Sequence, residues 1–357
     1  MTRLTTAALA AATVCGLLTL GTGVNGQGVA AKPGKGAVVG TGSFTAFVEN
    51  MDRSLGFYHD VFGMDVPAMP ESGARPYNRP NPPLFAWFDI PGARERHQSA
   101  RMPSLRTGLE FMEIQDVDHK TIPLRLQDPG TATAVLVVRD IDGMVGRLKQ
   151  ANVAIVTPGG TPVTFADGTR AIIVRDIDQR FVEIRQPASL PEAAPGGASP
   201  FIELRLSIAV NDMERTKQVY RDVLGFKVEG ETGFAADTST QALTGLAKAE
   251  VRRSRVQAQR STLWIEFVEY KGVDRTPLRM RIQDRGAARL QLPSENLDAL
   301  VSAVKSAGLT VVTQGGVAIP VPPNFKGALV ADPNNFFVTL FEPCDGCAPN
   351  PAAAPRR

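Results

Sequence analysis

The chain has 357 residues, 43% of them hydrophobic and 21% charged, with a formal net charge of +3. That length suits about two domains of roughly 150 residues each, and the composition is that of a globular protein with a substantial core. A charge so near neutrality argues against nucleic acid or an anionic membrane as a partner.

The first 31 residues stand apart. Arg3 supplies a short positive start, a weakly apolar run follows from Ala7 to Leu20, and small residues precede cleavage positions after Gly26 or Ala31. Residues 1–31 read as a secretory signal peptide, too short and too poor in large side chains to span a bilayer. The expected destination is the periplasm or the extracellular space, with no membrane partner once the signal is removed. A lipoprotein signal ending at Cys15 would need a small residue before the cysteine, which "ATVC" lacks. Cys344 and Cys347, in "CDGC", can form a small-loop disulfide in an oxidising compartment, and they lack the two further soft ligands a zinc site requires.

Beyond the signal, "SFTAFVE" (43–49) reads as a strand. Met51, Leu55, Tyr58 and Phe62 recur at helical spacing and form one apolar stripe, which Gly63 stops. "LFAWFDI" (84–90) and "LEFMEIQ" (109–115) read as strands. The order then repeats with strand "TAVLVV", a helix carrying Ile141, Met144, Val145 and Leu148, and strands "VAIVT", "RAIIV" and "RFVEIRQ". The Pro, Gly and Ala content of residues 188–200 marks a linker. After it the whole pattern recurs. "LEFMEIQDVD" from Leu109 faces "IEFVEYKGVD" from Ile265, and "LRLQDPG" (124–130) faces "MRIQDRG" (280–286), at a constant offset that carries Glu110 to Glu266. In this second copy the last helix runs over Leu297, Leu300, Val301 and Val304 and is capped by Gly308. Each copy is two βαβββ units. The boundaries are 41–187 for the first domain and 201–343 for the second, with 344–357 as a disordered tail.

"MDRSLGFYHDVFGMDV" and "MERTKQVYRDVLGFKV" resemble the first-helix signature of the vicinal oxygen chelate (VOC) superfamily, the group of glyoxalase I, bleomycin-resistance proteins and extradiol dioxygenases. "VRDIDGMVGRLKQANVAIV" and "DPNNFFVTLFEP" look like its second-unit helix and last strand. The resemblance covers both copies. It implies an α+β fold of two tandem domains, each with paired units forming a curved mixed-sheet cup. It also implies four metal-ligand positions per cup, on the first, fourth, fifth and eighth strands. Counted onto this chain, those are Ser43, Glu110, Thr133 and Glu183 in the first copy, and Arg205, Glu266, Arg289 and Thr339 in the second. Arginine cannot ligate a cation, so the second copy is expected to hold no metal. The first keeps two carboxylates, Glu110 and Glu183, as candidate ligands or general bases for a divalent ion. Glu113, Glu269 and Glu342 lie three residues beyond a ligand position and should point away from the cup, because strand side chains alternate.

The resulting expectation is an exported VOC protein that binds a small, anionic organic molecule in metal-free cups, with no confident cofactor. Glu110, Glu183, Arg205, Glu266 and Arg289 would line the cups. Arg125 and Arg281 would either orient an anion at the mouth or hold a structural connection. His59, His97 and His119 read as surface or loop residues, with His97 in a basic loop and His119 in a turn near the cup. Two alternatives stand beside this reading. One is a metal-dependent lyase, isomerase or dioxygenase using the first domain. The other is a non-catalytic structural or interaction module whose Pro-rich insertions make contacts. A homodimer is compatible with either arrangement of the domains.

Overall fold

A computed structural model describes residues 36–77, 82–103, 105, 108–192, 199–321 and 324–344. Residues 1–35, where a signal peptide is expected, residues 193–198 of the expected linker, Cys347 and the tail beyond 344 lie outside the described residues. Cys344 is disulfide-bonded, to a partner outside them.

The first unit comprises β1 (Ala37–Val38), β2 (Phe44–Phe47), α1 (Met51–Phe57), α2 (Pro82–Phe88), β3 (Arg94–Arg101) and β4 (Gly108–Gln115). The second has β5 (Ala132–Val138), α3 (Ile141–Gln150), β6 (Val163–Thr164), β7 (Arg170–Arg175) and β8 (Phe181–Gln186). The third has β9 (Phe201–Val210), α4 (Met213–Gln218), β10 (Lys227–Glu229), α5 (Thr238–Thr244), β11 (Glu250–Gln257) and β12 (Trp264–Lys271). The fourth has β13 (Ala288–Glu295), α6 (Leu297–Ser306), β14 (Thr310–Val311), β15 (Ile319–Val321), β16 (Phe325–Ala331) and β17 (Phe337–Pro343). The stretch 84–90, expected as a strand, is instead mostly helix α2. Its preceding prolines have no N–H to give a sheet ladder and fit the first turn of a helix.

The repeated glutamates have a structural role in each unit. Glu113 Oε2 accepts the Met51 backbone N–H at 2.9 Å, Glu269 Oε2 that of Met213 at 2.8 Å, and Glu342 Oε2 that of Leu297 at 2.9 Å. Gln186 Oε1 does the same for Ile141 at 2.8 Å. The last long strand of every unit thus clamps the first turn of that unit's helix. A buried helix start leaves backbone donors that need an acceptor, and an anion there also opposes the helix dipole. Asn50, Asp140 and Asp212 cap the same helices, accepting from the backbone N–H of Arg53, Gly143 and Arg215. The expectation that these glutamates face away from the cup matches their contacts.

The strands form two sheets, and neither belongs to one copy. One has the order β14-β16-β17-β13-β2-β4-β3, joining the fourth unit to the first. The other runs β10-β11-β12-β9-β5-β8-β7-β6, joining the third unit to the second. The seams are antiparallel, with Thr45 opposite Arg289 in the first sheet and Ser207 opposite Thr133 in the second. This corrects the expectation that Glu110 and Glu183 share one cup, and Arg205, Glu266 and Arg289 another. After the linker, β9 lies directly on β5, which leaves β2 to be completed by β13. Such an exchange replaces each seam by a near-identical one, so the local sequence does not register it.

One face of each sheet feeds a single continuous core that includes Leu55, Tyr58, Phe111, Leu136, Ile184, Leu206, Tyr220, Phe267, Leu290 and Leu340. The alternate residues of the same strands line the cups. Reciprocal clasps tie the copies together. Arg125 grips Asp128 with two bonds, 2.8 and 2.7 Å, and reaches Asp274 at 2.8 Å, while Asp128 accepts the Thr276 N–H at 2.7 Å. Arg281, Asp284, Asp118 and Lys120 repeat the pattern in mirror fashion. The guanidinium forks of Arg125 and Arg281 are therefore engaged by carboxylates of this connection. His119 Nδ1 joins the same clasp, 2.7 Å from the Gln283 carbonyl oxygen, so it does not overhang a cup.

Candidate functional site

The cup on the first sheet is full. Glu110, from β4, is buried and takes three donors: Thr45 Oγ1 at 2.8 Å, Gln291 Nε2 at 3.1 Å and Arg289 Nη2 at 3.4 Å. Arg289 also donates to Thr45 Oγ1 at 3.3 Å and to Thr339 Oγ1 at 3.5 Å. Its guanidinium carbon lies 4.8 Å from the Phe88 ring centre, and 5.9 Å from those of Phe47 and Trp87. Helix α2 supplies the aromatic filling. Phe85 and Phe88 join Phe47, Met112, Ile114, Leu329 and Phe337 in one buried cluster. Trp87 lies flat on Gly327, where an added Cβ would come within 2.5 Å of the indole. Thr313 Oγ1 latches the helix by donating to the Trp87 carbonyl at 3.0 Å. Ser43 sits on the cup's other seam row, where its carbonyl accepts the Gln291 N–H at 3.0 Å.

The cup on the second sheet carries the same latch with a different lid. Thr157 Oγ1 donates to the Leu243 carbonyl at 3.0 Å, so Leu243 of α5 stands where Trp87 stands in the other cup. Beside it Thr244 replaces Phe88. The loss of two aromatic side chains leaves the polar lining wetter. The side chains of Glu110 and Arg289 are 7% and 5% exposed; in the second cup Glu183 is similarly buried at 9%, whereas those of Arg205, Arg253 and Glu266 are 37%, 26% and 26% exposed.

Strand pleating fixes what faces this second cup. Glu183 and Arg185 come from β8, Thr133 and Val135 from β5, Glu203, Arg205 and Ser207 from β9, Arg253 and Arg255 from β11, and Trp264, Glu266 and Tyr270 from β12. Arg185 pairs with Glu183 at 2.5 Å, Arg205 with Glu203 at 2.7 Å and Arg253 with Glu266 at 3.3 Å. Arg253 also donates to Thr240 Oγ1 of the lid at 2.9 Å. Arg255 lies over the Trp264 ring at 5.4 Å. The Glu183 carboxylate keeps Arg185 strongly protonated. Burial pushes the Tyr270 phenol up to about 12; Arg253 opposes the rise, and Glu183 and Glu266 add to it. Glu183 and Glu266 act on the same phenol although β9 and β5 lie between their strands, which is the curvature of the cup expressed in charge.

The structure thus places Glu110 and Arg289 in the filled cup, and Glu183, Arg205 and Glu266 in the wetter one. Arg185, Arg253 and Tyr270 were not singled out from sequence. Their signal was present, because they alternate with core residues on strands already recognised, but it needed the exchanged sheet order to bring them together. His97 also moves. It lies in β3, not in a loop, with Nδ1 3.0 Å from Glu95 Oε2. His59 Nδ1 donates to the Met64 carbonyl at 3.0 Å on the helix side.

A divalent cation requires several anionic or neutral donors around an open position. Glu110 is instead bonded to a guanidinium beneath an aromatic lid. Glu183 and Glu266 each carry an arginine of their own. Among the described residues no group of three His, Cys, Asp or Glu side chains comes together to hold a metal. The donors of neither cup fit the metal site that the VOC resemblance implies.

The Glyoxalase/Bleomycin resistance protein/Dioxygenase superfamily profile matches residues 40–184 and 204–320. A search of curated proteins by sequence returns no match. Among solved structures, glyoxalase I from Zea mays superposes with a TM-score of 0.52 at 17% identity, over 86% of this chain and 92% of that one. A putative dioxygenase from Bacillus subtilis gives a TM-score of 0.53 at 14% identity, over 87% of each chain. At such identities these likenesses speak for the fold alone, while the profile, matching twice over most of the chain, speaks for descent. The chain belongs to the Glyoxalase/Bleomycin resistance protein/Dioxygenase superfamily, as a member with two tandem VOC regions.

Proposed function

We propose that this protein is an exported small-molecule-binding member of the superfamily, and that it works through one metal-free cup, the one on the second sheet. The observation that carries the reading is the difference between the lids. Aromatic side chains of α2 occupy the first cup, and the smaller side chains of α5 leave the second with a partly exposed polar lining. A concave site with an apolar floor and a few converging polar groups is the usual form of a small-molecule site. The buried Glu110–Arg289 pair then belongs to the protein's own packing.

The test joins metal analysis to binding. Protein purified without chelator is expected to carry no stoichiometric divalent ion. A thermal-shift screen of small organic compounds is expected to give a hit that is lost in an Arg205→Ala, Glu266→Ala double variant and kept in Glu110→Gln. A stoichiometric ion removed by Glu110→Gln would overturn the reading in favour of a metal enzyme centred on the first cup.

A further inference from the structure

The chain has four tyrosines. Three of them donate to carboxylates: Tyr58 to Asp176 at 2.9 Å, Tyr220 to Asp332 at 3.3 Å, and Tyr77 to Glu113. The fourth, Tyr270, is only 6% exposed and faces the second cup, yet its hydroxyl makes no hydrogen bond to any described residue. The ring is buried while the hydroxyl oxygen itself keeps solvent contact, so it is a donor left open. Its position, on the same face as Arg253 and within the field of Glu183 and Glu266, points this open donor into the cup, where a ligand acceptor would take it.

We propose that this acceptor is the carboxylate of a small organic acid, one oxygen of which takes the Tyr270 hydroxyl and the other the Arg253 guanidinium. The proposal rests on the reading of the second cup as the binding site and adds the class of its ligand. The placement of the arginines favours an anion. Arg185, Arg205 and Arg253 each neutralise one carboxylate, and Arg255 adds a further cation, set over Trp264 with no carboxylate partner among the described residues. Asp237 and Asp167 also act on Arg253 and Arg185, so the attraction for an anion is local, at Arg255 and beside Arg253, and suits a monoanion. A dianion such as phosphate would add a second negative charge beside Glu183 and Glu266. Val135 and Val268, both buried on the cup face, give the ligand's carbon skeleton an apolar floor. The phenol remains a neutral donor at physiological pH, because burial holds it well above that range.

The experiment is isothermal titration of the full mature chain with benzoate, phenylacetate and pyruvate, each against its neutral amide. At least one carboxylate should bind, about tenfold or more tightly than its amide, as a charge-assisted hydrogen bond provides. Tyr270→Phe should weaken that binding about tenfold, because it removes only the oxygen that lacks a partner, and should leave the unliganded melting temperature in place. Arg253→Gln should abolish binding and Arg253→Lys should restore part of it. Equal binding of acid and amide, or unchanged affinity in Tyr270→Phe and Arg253→Gln, would overturn the proposal while leaving the second cup as a binding site. Failure of all six probes, together with a thermal-shift screen that gives no hit, would overturn both this proposal and the reading on which it rests.

Discussion

Removing one partner of the Glu110–Arg289 pair should cost far more than removing both. The two side chains are 7% and 5% exposed and their closest atoms are 3.4 Å apart. At an effective dielectric constant of roughly 20, opposite charges at that distance attract by about 5 kcal/mol. Stripping one partner from such a pair typically costs about 3–5 kcal/mol, because the survivor is a buried charge without compensation. Glu110→Gln and Arg289→Met are each expected to fall in that range. The double variant leaves no charge behind and should cost no more than either single change, a coupling of about 3 kcal/mol or more in a double-mutant cycle. Urea unfolding at neutral pH, with the slope held constant across the series, measures all three. Two single variants within about 1 kcal/mol of wild type, with no coupling, would mean that water solvates the pair. The first cup would then be open, and the contrast that assigns function to the second cup would fail.

Further outcomes follow from the same geometry. Burial raises Asp332 from its ordinary 3.8 to about 6, where it accepts from Tyr220, Asn334 and Phe336. The folded state therefore holds this proton after the unfolded chain has lost it, and stability falls as pH rises between about 4 and 6, by about 3 kcal/mol. Asp332→Asn, compared with wild type by urea unfolding at pH 4 and pH 7, should flatten that window; an unchanged slope would show that another group carries it. Asp176, the counterpart in the first copy, has Arg180 at 2.6 Å where the second copy has Phe336, so Asp176→Asn should instead leave a buried guanidinium and destabilise at neutral pH. Gly327→Ala drives a methyl group into the Trp87 indole and should cost about 1–3 kcal/mol and red-shift the Trp87 emission in a Trp264→Phe background. Glu269→Ala removes the acceptor of the Met213 amide and the partner of Arg252, at a cost of about 1–3 kcal/mol, and hydrogen exchange at the start of α4 should quicken while α6 is unaffected.

Much of this could be read from the chain itself. The stripe of Met51, Leu55, Tyr58 and Phe62 requires a helix with one buried face, and the recurrence of "EF" at Glu110 and Glu266 marks the two copies, because hydrophobic period and side-chain alternation act over a few residues. The same alternation separates Glu110 and Glu266, on the cup face, from Glu113 and Glu269, which clamp helix starts. Helix α2 is not legible in the sequence because "LFAWFDI" is a short apolar run, for which periodicity alone does not separate strand from helix; the tertiary role of α2, filling a cup, is what its aromatic residues serve.

Sequence by itself determined the units, their repetition, the family and the face on which each charged residue stands, all of which depend on local spacing. Only the tertiary structure decided which units share a sheet, and with that which charges meet. Glu110 was expected beside Glu183 and lies instead against Arg289; Glu183 shares its cup with Glu266 and Tyr270. The two pairings offer each strand nearly the same neighbour, so their local energies are alike. The choice falls to contacts between distant segments: the closure of β9 on β5 after the linker, and the clasps of Arg125 and Arg281.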